Sequence, residues 1–393
     1  MDFTLPKQAE AFRQEVRDFL KRELPQDWGG LGLGGIGNAE GWELHKRMAA
    51  KLAARNWIAL HWPRAYGGQE RSYYEQMVFK EEMGYFRAPG IDGWATNMLA
   101  PVLMLYGSEE QKEEHLRPIA RAERYWCQGY SEPQAGSDLA SLQTRAVREG
   151  DFFVINGQKT WTTNAHHSDW IFMGVRTDPE APKHKGITFI LADMRTPGIT
   201  VRPIIDLAGH HEVNEVFFDN VRVPTRNVVG EVNRGWYVMA ALLDFERSGI
   251  GQIGGATRAL EEIIEFARTA ELDGRRLRDD PRLQHKLAEL RVELEVARVM
   301  SYRIGWMQSN GQVPNREASE NKLFASEFTQ RMYNVAMQML GLYGQLPTKG
   351  KWSKLAGRIG DQYLMTVPIT IYAGSSEIQR NIIAQRGLGL PRG

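Results

Sequence analysis

The sequence predicts an α+β chain in three parts: helices, then a small β domain, then a helix bundle. Three observations predict it. Apolar residues recur at helical spacing near the N-terminus and again after about residue 235. Between these stretches lie short apolar runs cut by Gly and Pro, the mark of strands. The length, 393 residues, allows two or three domains at roughly 150 residues each.

Composition narrows the function classes. Basic and acidic residues nearly cancel, 49 against 48, for a net charge of +1. That argues against a basic nucleic-acid groove and against a polybasic membrane anchor. The single cysteine, Cys127, allows no intramolecular disulfide and no cysteine-based metal cluster, and no metal ligand is assigned. A reducing, cytoplasmic-type compartment fits. The longest apolar runs, such as Gly186 to Met194, fall well short of the roughly 18 residues of a membrane helix. Met1 to Leu24 mixes acids and bases and carries no signal-peptide apolar block.

The elements follow in order. Residues 1–124 read as helical. Phe12, Val16, Phe19 and Leu20 fall on one helix face, and Pro6 sits near the start, where proline is tolerated. Gly29 to Gly37 holds six glycines in nine residues. It lacks G-x-G-x-x-G spacing after a strand, so it reads as a loop, not a phosphate cradle. Trp57, Trp62 and Trp94 suit a core or a pocket equally. Residues 125–231 read as β. Phe152 to Ile155 runs into Asn156-Gly157, the strongest short hairpin signal, so a turn is expected there. Further runs at Trp170 to Val175, Gly186 to Ala192, Ile199 to Ile205 and Glu215 to Val223 suggest a sandwich or barrel. Residues 232–393 return to helical period. Leu283, Leu287, Leu290, Leu294 and Ala297 form one stripe, and Phe324, Phe328, Met332, Val335 and Met339 another. Both read as packing within a helix bundle.

Two clusters in the β region stand out. The first is Gly129-Tyr130-Ser131-Glu132-Pro133-Gln134-Ala135-Gly136-Ser137-Asp138. By itself it reads as a loop with self-satisfied hydroxyls and carboxylates. The second, Lys159-Thr160-Trp161-Thr162-Thr163-Asn164, places a tryptophan between hydroxyls, and core packing explains it equally well. Together, and in this order, they resemble the acyl-CoA dehydrogenase family. The first matches its Ser/Thr-Glu-Pro followed by Ala-Gly-Ser-Asp. The second, with Gly157 and Gln158, matches its Gly-Gln-Lys-x-Trp-x-Thr-Asn. A third block, Ile371-Tyr372-Ala373-Gly374-Ser375-Ser376-Glu377-Ile378-Gln379-Arg380-Asn381, matches its terminal motif. The resemblance spans essentially the whole chain.

What the resemblance implies is specific. The fold would be an N-terminal helical domain (1–124), a central β-barrel-like domain (125–231) and a C-terminal four-helix bundle (232–393). The cofactor would be noncovalent FAD and the substrate an acyl-CoA thioester. Trp161 and Thr163 would wall the flavin near its N5 edge. Gln128, Tyr130 and Ser131 would meet its pyrimidine side. Ser137 would touch the FAD pyrophosphate or the pantetheine arm. Gln338, Ser375 and Glu377 belong to further family motifs that bind the cofactor. The reaction removes a proton α to the thioester and a hydride from the β carbon, so it needs a positioned base and a donor to the thioester oxygen. In many family members the base stands immediately before the glycine of the terminal motif, where this chain has Ala373. Other members carry the base in a Leu-x-x-Glu-Arg segment, matched here by Leu243-Asp244-Phe245-Glu246-Arg247. Glu246 is therefore the expected base, with Arg247 at the substrate end of the site. The Ala373 backbone N–H would still reach the thioester oxygen. A solvated Glu246 paired with a nearby arginine is the bland alternative.

One region departs from the family pattern. Where the family has Arg-x-x-Phe-Gly, reaching the flavin pyrophosphate of a neighbouring subunit, this chain has Ala270, Asp273 and Gly274. Gln338 is kept, but Gly341-Leu342-Tyr343-Gly344 replaces the usual double glycine. This pattern resembles the catalytic half of heteromeric acyl-CoA dehydrogenases of bacterial steroid side-chain breakdown, where a sister chain supplies the missing contacts. The expected assembly is thus an α₂β₂ tetramer, or a homotetramer in which Arg275 or Arg276 compensates. Electron-transfer flavoprotein would reoxidise the flavin. Rival readings are a dehydrogenase of carrier-protein thioesters, a flavin monooxygenase of the same fold, and a non-catalytic or DNA-associated relative. Glu246 counts against the second and the balanced charge against DNA.

Overall fold

The computed structural model describes residues 4–26, 28–30, 35–245, 249–346 and 350–391. In chain order the helices are α1 (Lys7–Glu23), α2 (Ala39–Ala53), α3 (Tyr73–Tyr85), α4 (Ala100–Tyr106), α5 (Glu109–Ala120), α6 (Gly235–Phe245), α7 (Ile250–Thr269), α8 (Pro281–Ser309), α9 (Asn315–Leu340), α10 (Arg358–Met365) and α11 (Ser376–Ile382). The strands are β1 (Trp126–Gly129), β2 (Arg145–Glu149), β3 (Phe152–Lys159), β4 (Trp170–Arg176), β5 (Ile187–Asp193), β6 (Ile199–Ile204), β7 (Val213–Pro224), β8 (Glu271–Leu272) and β9 (Arg275–Arg276).

The chain divides into two compact units, one of residues 1–33, 72–88 and 247–393, the other of residues 34–71 and 89–246. The N-terminal helices are shared out: α1 and α3 belong to the first, α2, α4 and α5 to the second.

In the helical unit, α1 buries Ala9, Phe12, Val16, Phe19 and Leu20, the stripe its spacing demands. Helix α3 opens on a reciprocal cap in which Ser72 and Glu75 each satisfy the other's backbone N–H. Leu283, Leu287, Leu290, Leu294 and Ala297 of α8 bury with Phe328 and Met332 of α9 in one core, and Phe324, Val335 and Met339 pack at its margin. Between α7 and α8 the chain turns through β8 and β9. The turn residues Asp273 and Gly274 have φ of 51° and 73°, the left-handed pair that a two-residue hairpin requires.

In the sheet-bearing unit all seven strands form one sheet, ordered β1-β4-β2-β3-β7-β6, with β5 on β4 as well. The sheet curls round its own core. Ile155 of β3, Ile171 of β4, Ile190 of β5 and Val216 and Val221 of β7 share one cluster. The outer face, with Phe172, Phe189 and Leu191, packs beneath Leu99, Leu103, Leu116 and Met239. Strands β4 and β5 are buried on both faces, so their sequences read as continuous apolar runs, not as alternation. Trp57 and Trp62 are core, and Trp94 packs half-buried against it.

One expected turn is absent. Asn156-Gly157 lies within β3, and the reversal occurs at Gly150 (φ 59°) and Asp151, between β2 and β3. Two contacts explain it. Asn156 accepts the Asn220 backbone N–H at 2.8 Å across an irregularity in the β3–β7 pairing. At Gly157 (φ 149°) a Cβ would stand 2.7 Å from Thr144 Cα, so glycine is there for close approach of two backbones.

Candidate active site

The segment after β3 is strung on buried backbone. The Thr160 N–H donates to Ser131 O (2.9 Å), the Thr162 N–H to Asn214 O (2.9 Å), and the Asn164 N–H to Glu212 O (2.8 Å). Thr160 and Thr162 are buried, while Trp161 between them is 61% exposed. Core packing is thereby ruled out as the reason for this tryptophan. Trp161 and Asn164 have φ of 58° and 57°. A left-handed backbone at a bulky residue costs on the order of 1–3 kcal/mol, so the surrounding bonds must impose it. Thr163 is half-buried beside it.

The first cluster is anchored from beneath. Lys159 at the end of β3 is fully buried, and its Nζ donates to Glu132 Oε1 (2.7 Å), Gly174 O (2.8 Å) and Tyr130 O (3.3 Å). Glu132 also accepts the N–H groups of Gln143 (2.6 Å) and Thr144 (2.9 Å). Burial works to raise the Glu132 carboxyl, but the Lys159 ammonium and these donors outweigh it and hold it below the usual carboxylate range. The ion pair thus locks Tyr130-Ser131-Glu132 to β3 and β4.

Gln128 on β1 points its amide at Met98 Sδ (3.8 Å), on the π-helical stretch Trp94–Leu99. Asp92 starts that stretch, accepting the N–H groups of Trp94 (3.0 Å) and Ala95 (3.2 Å), and ties it to β1 through the Trp126 N–H (2.8 Å). Burial pushes the Asp92 carboxyl up to about 6 against these three donors. Tyr130 is buried edge-on against Phe172, and burial drives its phenol well above its ordinary value. Ser131 is half-buried and Ser137 exposed. So Gln128, Tyr130, Ser131, Trp161 and Thr163 stand on one connected framework.

The terminal motif belongs to the helical unit. Ala373 (φ 52°) and Gly374 (φ 84°) make a left-handed turn. Lys322 Nζ donates to Gly374 O (2.8 Å), and Gln379 Nε2 to Ala373 O (3.2 Å) and Gly374 O (3.1 Å). Ser375 caps α11 by accepting the Ile378 N–H (3.3 Å). The Ser375 hydroxyl first, then the Glu377 backbone N–H and the Arg380 and Lys322 charges, hold the exposed Glu377 carboxyl below its ordinary value. Gln338 is exposed on α9 and accepts from Lys286 (2.8 Å). Ala270 ends α7, and Arg275 and Arg276 are exposed on β9. Glu246 and Arg247, the expected base and its neighbour, lie outside the described residues.

Sequence reasoning missed four groups. The partners of Lys159, Asp92 and Asn214 are remote in sequence, and no local pattern announces them. Lys159 and Glu132 did stand inside the two quoted clusters, where an acid and a base in otherwise small and hydroxylic segments were the available signal. The fourth is a group of histidines, His45, His166, His167 and His211, around Trp42. Among the described residues no three His, Cys, Asp or Glu side chains are arranged to hold a metal, and no helix is long and apolar enough to cross a membrane.

A flavin ring needs an apolar face and hydrogen-bonding edges, and the residues present fit one. Trp161 offers an exposed aromatic face. Among the described residues Tyr130 Oη and Thr162 Oγ1 are buried with no hydrogen-bond partner, an arrangement that costs energy unless a ligand supplies one.

Comparison with known proteins places the chain among its relatives. Family models described as the N-terminal, middle and C-terminal domains of acyl-CoA dehydrogenase match residues 6–123, 127–221 and 233–388. The chain is similar to acyl-CoA dehydrogenase IpdE1 of Mycobacterium tuberculosis, 37% identical over 391 residues and covering 98% of each chain. Among solved structures it resembles the Tcur3481-Tcur3483 steroid ACAD, with 33% identity, TM-score 0.91 and all of both chains covered. It resembles the ChsE4-ChsE5 complex of Mycobacterium tuberculosis to a similar degree, at 33% identity, TM-score 0.88 and full coverage of both.

Proposed function

The chain belongs to the acyl-CoA dehydrogenase family, and from that premise we propose that it oxidises an acyl-CoA thioester to the trans-2-enoyl thioester with Glu246 as base. The observation that carries this reading is Trp161, an exposed aromatic held in a costly backbone conformation by buried bonds on both sides. FAD bound there would accept the hydride from the β carbon.

The chain's own residues divide the remaining work. The Glu246 carboxylate takes the proton from the α carbon as the α,β double bond forms. The Ala373 N–H, on a turn fixed by Lys322 and Gln379, donates to the thioester oxygen as negative charge builds there. Trp161 and Thr163 line the reactive edge of the ring. Gln128, Tyr130 and Ser131 bind its other end, with Gln338, Ser375 and Glu377 as further cofactor contacts. Ser137 and Arg247 hold the thioester arm and the substrate end. Electron-transfer flavoprotein is the proposed acceptor.

The assembly we favour is α₂β₂ with a sister subunit. The solved relatives at TM-scores of 0.91 and 0.88 are each named for two different chains, and this chain lacks the family arginine and phenylalanine at Ala270 and Asp273. A bulky, steroid-type acyl group is the matching substrate class.

The test is spectroscopic. Co-purified with its sister subunit, the protein should carry a flavin band that candidate acyl-CoAs bleach. Glu246→Gln removes the proton acceptor with little change of shape, so bleaching should slow at least about a hundredfold while FAD and acyl-CoA still bind. Near-normal reduction by this variant would end the assignment of Glu246.

A further inference from the structure

Asn214 is fully buried on β7, and every hydrogen of its amide is spent. Its Nδ2 donates to Thr162 O (3.0 Å) and to His166 Nδ1 (3.0 Å). Its Oδ1 accepts from His211 Nε2 (2.7 Å), and its backbone carbonyl accepts the Thr162 N–H. One residue therefore holds both backbone polar groups of Thr162, the residue between Trp161 and Thr163.

The histidines decide which way round that amide sits. His166 Nε2 faces Gly37 O at 3.0 Å and must carry the hydrogen. His166 Nδ1 is then a lone pair, the only state that can receive Asn214 Nδ2. His211 Nε2 must likewise donate to Asn214 Oδ1. We propose that Asn214 is the positioning residue of the Trp161–Thr163 segment, and that uncharged His166, together with the His211 Nε2–H, sets the orientation of its amide.

The surroundings make a charged His166 unwelcome. Its ring stacks on His211 (3.9 Å between centroids) and lies 4.0 Å from His167. His167 also donates to Gly37 O (3.2 Å), stacks on Trp42 of α2 and feels Lys46 of the same helix. His45 of α2 also stacks on Trp42 (5.1 Å between centroids), and Tyr125 meets Trp42 edge-on. The Glu212 carboxylate is directed at Gly35. Burial, aided by His211, lowers the His166 imidazole from its ordinary value despite its two hydrogen bonds. A proton on Nδ1 would set donor against donor at Asn214. The amide could escape only by turning over, which strips Thr162 O of its donor and faces His211 N–H with another N–H. Acid would thus unfasten the segment that carries Trp161.

This inference rests on FAD binding at Trp161, so the test has one arm that needs FAD and one that does not. With FAD bound, the dissociation constant is measured from pH 8 to pH 5. Asn214→Asp, which removes the donor to Thr162 O, should weaken FAD binding about tenfold or more at pH 7.5. The wild type should weaken about tenfold as pH falls from 7.5 to 5.5. His166→Asn puts a non-titrating acceptor near the place of Nδ1. It should bind FAD within about threefold of wild type at pH 7.5 and lose the acid weakening. Wild-type affinity in Asn214→Asp, or an acid limb that survives in His166→Asn, overturns the proposal. The second arm uses histidine ¹⁵N resonances of the chain without FAD, with His166 identified by its loss in His166→Asn. His166 should show the Nε2–H tautomer and titrate below its ordinary value, and Asn214→Asp should raise its midpoint. The other tautomer, or an unmoved midpoint, overturns the proposal even in a chain that binds no FAD; absence of FAD from the co-expressed α₂β₂ pair would instead sink the proposed cofactor.

Discussion

Two regions that the sequence picked out are built in opposite ways. The segment around Trp161 is fixed from beneath by partners far away in the chain: Glu132 with Lys159, and Asn214 with Thr162. The turn at Asp273-Gly274 is fixed by its own two residues, with Arg275 and Arg276 exposed and Tyr343 reaching Asp273 at the surface (3.0 Å). The difference teaches what each can tolerate. A site resting on buried polar partners cannot change one residue without leaving another unpaired. An exposed hairpin needs only its turn chemistry, and its outward side chains are free to differ. The two β-region motifs that match the family, around Ser131-Glu132 and Trp161, stand on the first kind of structure, and the departure from it at Asp273-Gly274 stands on the second.

The sharpest way to break this comparison is at Lys159. Lys159→Met leaves Glu132 charged and buried, with side-chain exposures in the pair now 0% and 2%. Removing one partner of such a pair typically costs about 3–5 kcal/mol. A urea titration should show that loss, and Lys159→Met with Glu132→Leu should recover part of it. A loss under about 1 kcal/mol in the single variant would mean water reaches the pair.

Acid probes the same unit. Burial, with His167 adding to it, lowers His45 to about 4. Burial, with Arg124 adding to it, lowers His115 to about 3. The folded state then binds fewer protons than the unfolded chain below the ordinary imidazole value near 6.5. Stability should be full above that pH and fall as pH drops through it, with losses ending only below the folded values. At pH 5 each of these two buried histidines should have removed about 2 kcal/mol. Thermal melts from pH 8 to 5 check this, and His115→Gln should flatten the slope. A melting temperature that stays level across this range would contradict the neutral, buried assignment.

Trp161→Ala separates fold from cofactor. The side chain is mostly in solvent, so stability should change by no more than about 0.5 kcal/mol. FAD should bind about tenfold more weakly, because the aromatic wall is gone. Unaltered FAD retention would assign the tryptophan another role.

How far these features were legible follows the same division. Period alone finds α1, α8 and α9, because Phe12, Val16, Leu287 and Leu294 must share faces to be buried. The runs of β4 and β5 are legible because both faces are covered. Asn156-Gly157 misleads because what decides it is Asn220, 64 residues away, and the backbone of Thr144. The same signal, an Asx before glycine, makes a true hairpin at Asp273-Gly274, where the remote Tyr343 meets only the Asp273 side chain and leaves the turn's backbone as it is. Motifs locate Trp161 and Ser131, yet Asn214 lies 52 residues from Thr162 and no spacing rule joins them. What a motif singles out is the residues proposed to meet a ligand. What holds them there is a set of long-range pairs that only the fold brings together.

The smallest effect on the fold should come from the departing hairpin, and it carries the largest consequence for assembly. Arg275→Ala and Arg276→Ala remove exposed side chains from β9 and should each leave stability within about 0.5 kcal/mol of wild type. Their value lies in what happens to flavin. A pyrophosphate at an interface needs cationic or helix N-terminal partners, and this chain has Ala270 and Asp273 where the family has arginine and phenylalanine. Expressed alone, the chain should bind FAD weakly, and a sister subunit should restore an α₂β₂ particle with about one flavin per pair, the stoichiometry that the resemblance to heteromeric relatives implies. Size-exclusion chromatography with flavin quantitation on the chain alone and on the co-expressed pair decides the matter. Both arginine variants should then leave the flavin content of the α₂β₂ particle unchanged. A stable homotetramer with one flavin per chain, emptied by Arg275→Ala or Arg276→Ala, would show instead that the exposed hairpin supplies its own cation, and the contrast between the two regions would narrow to one of burial alone.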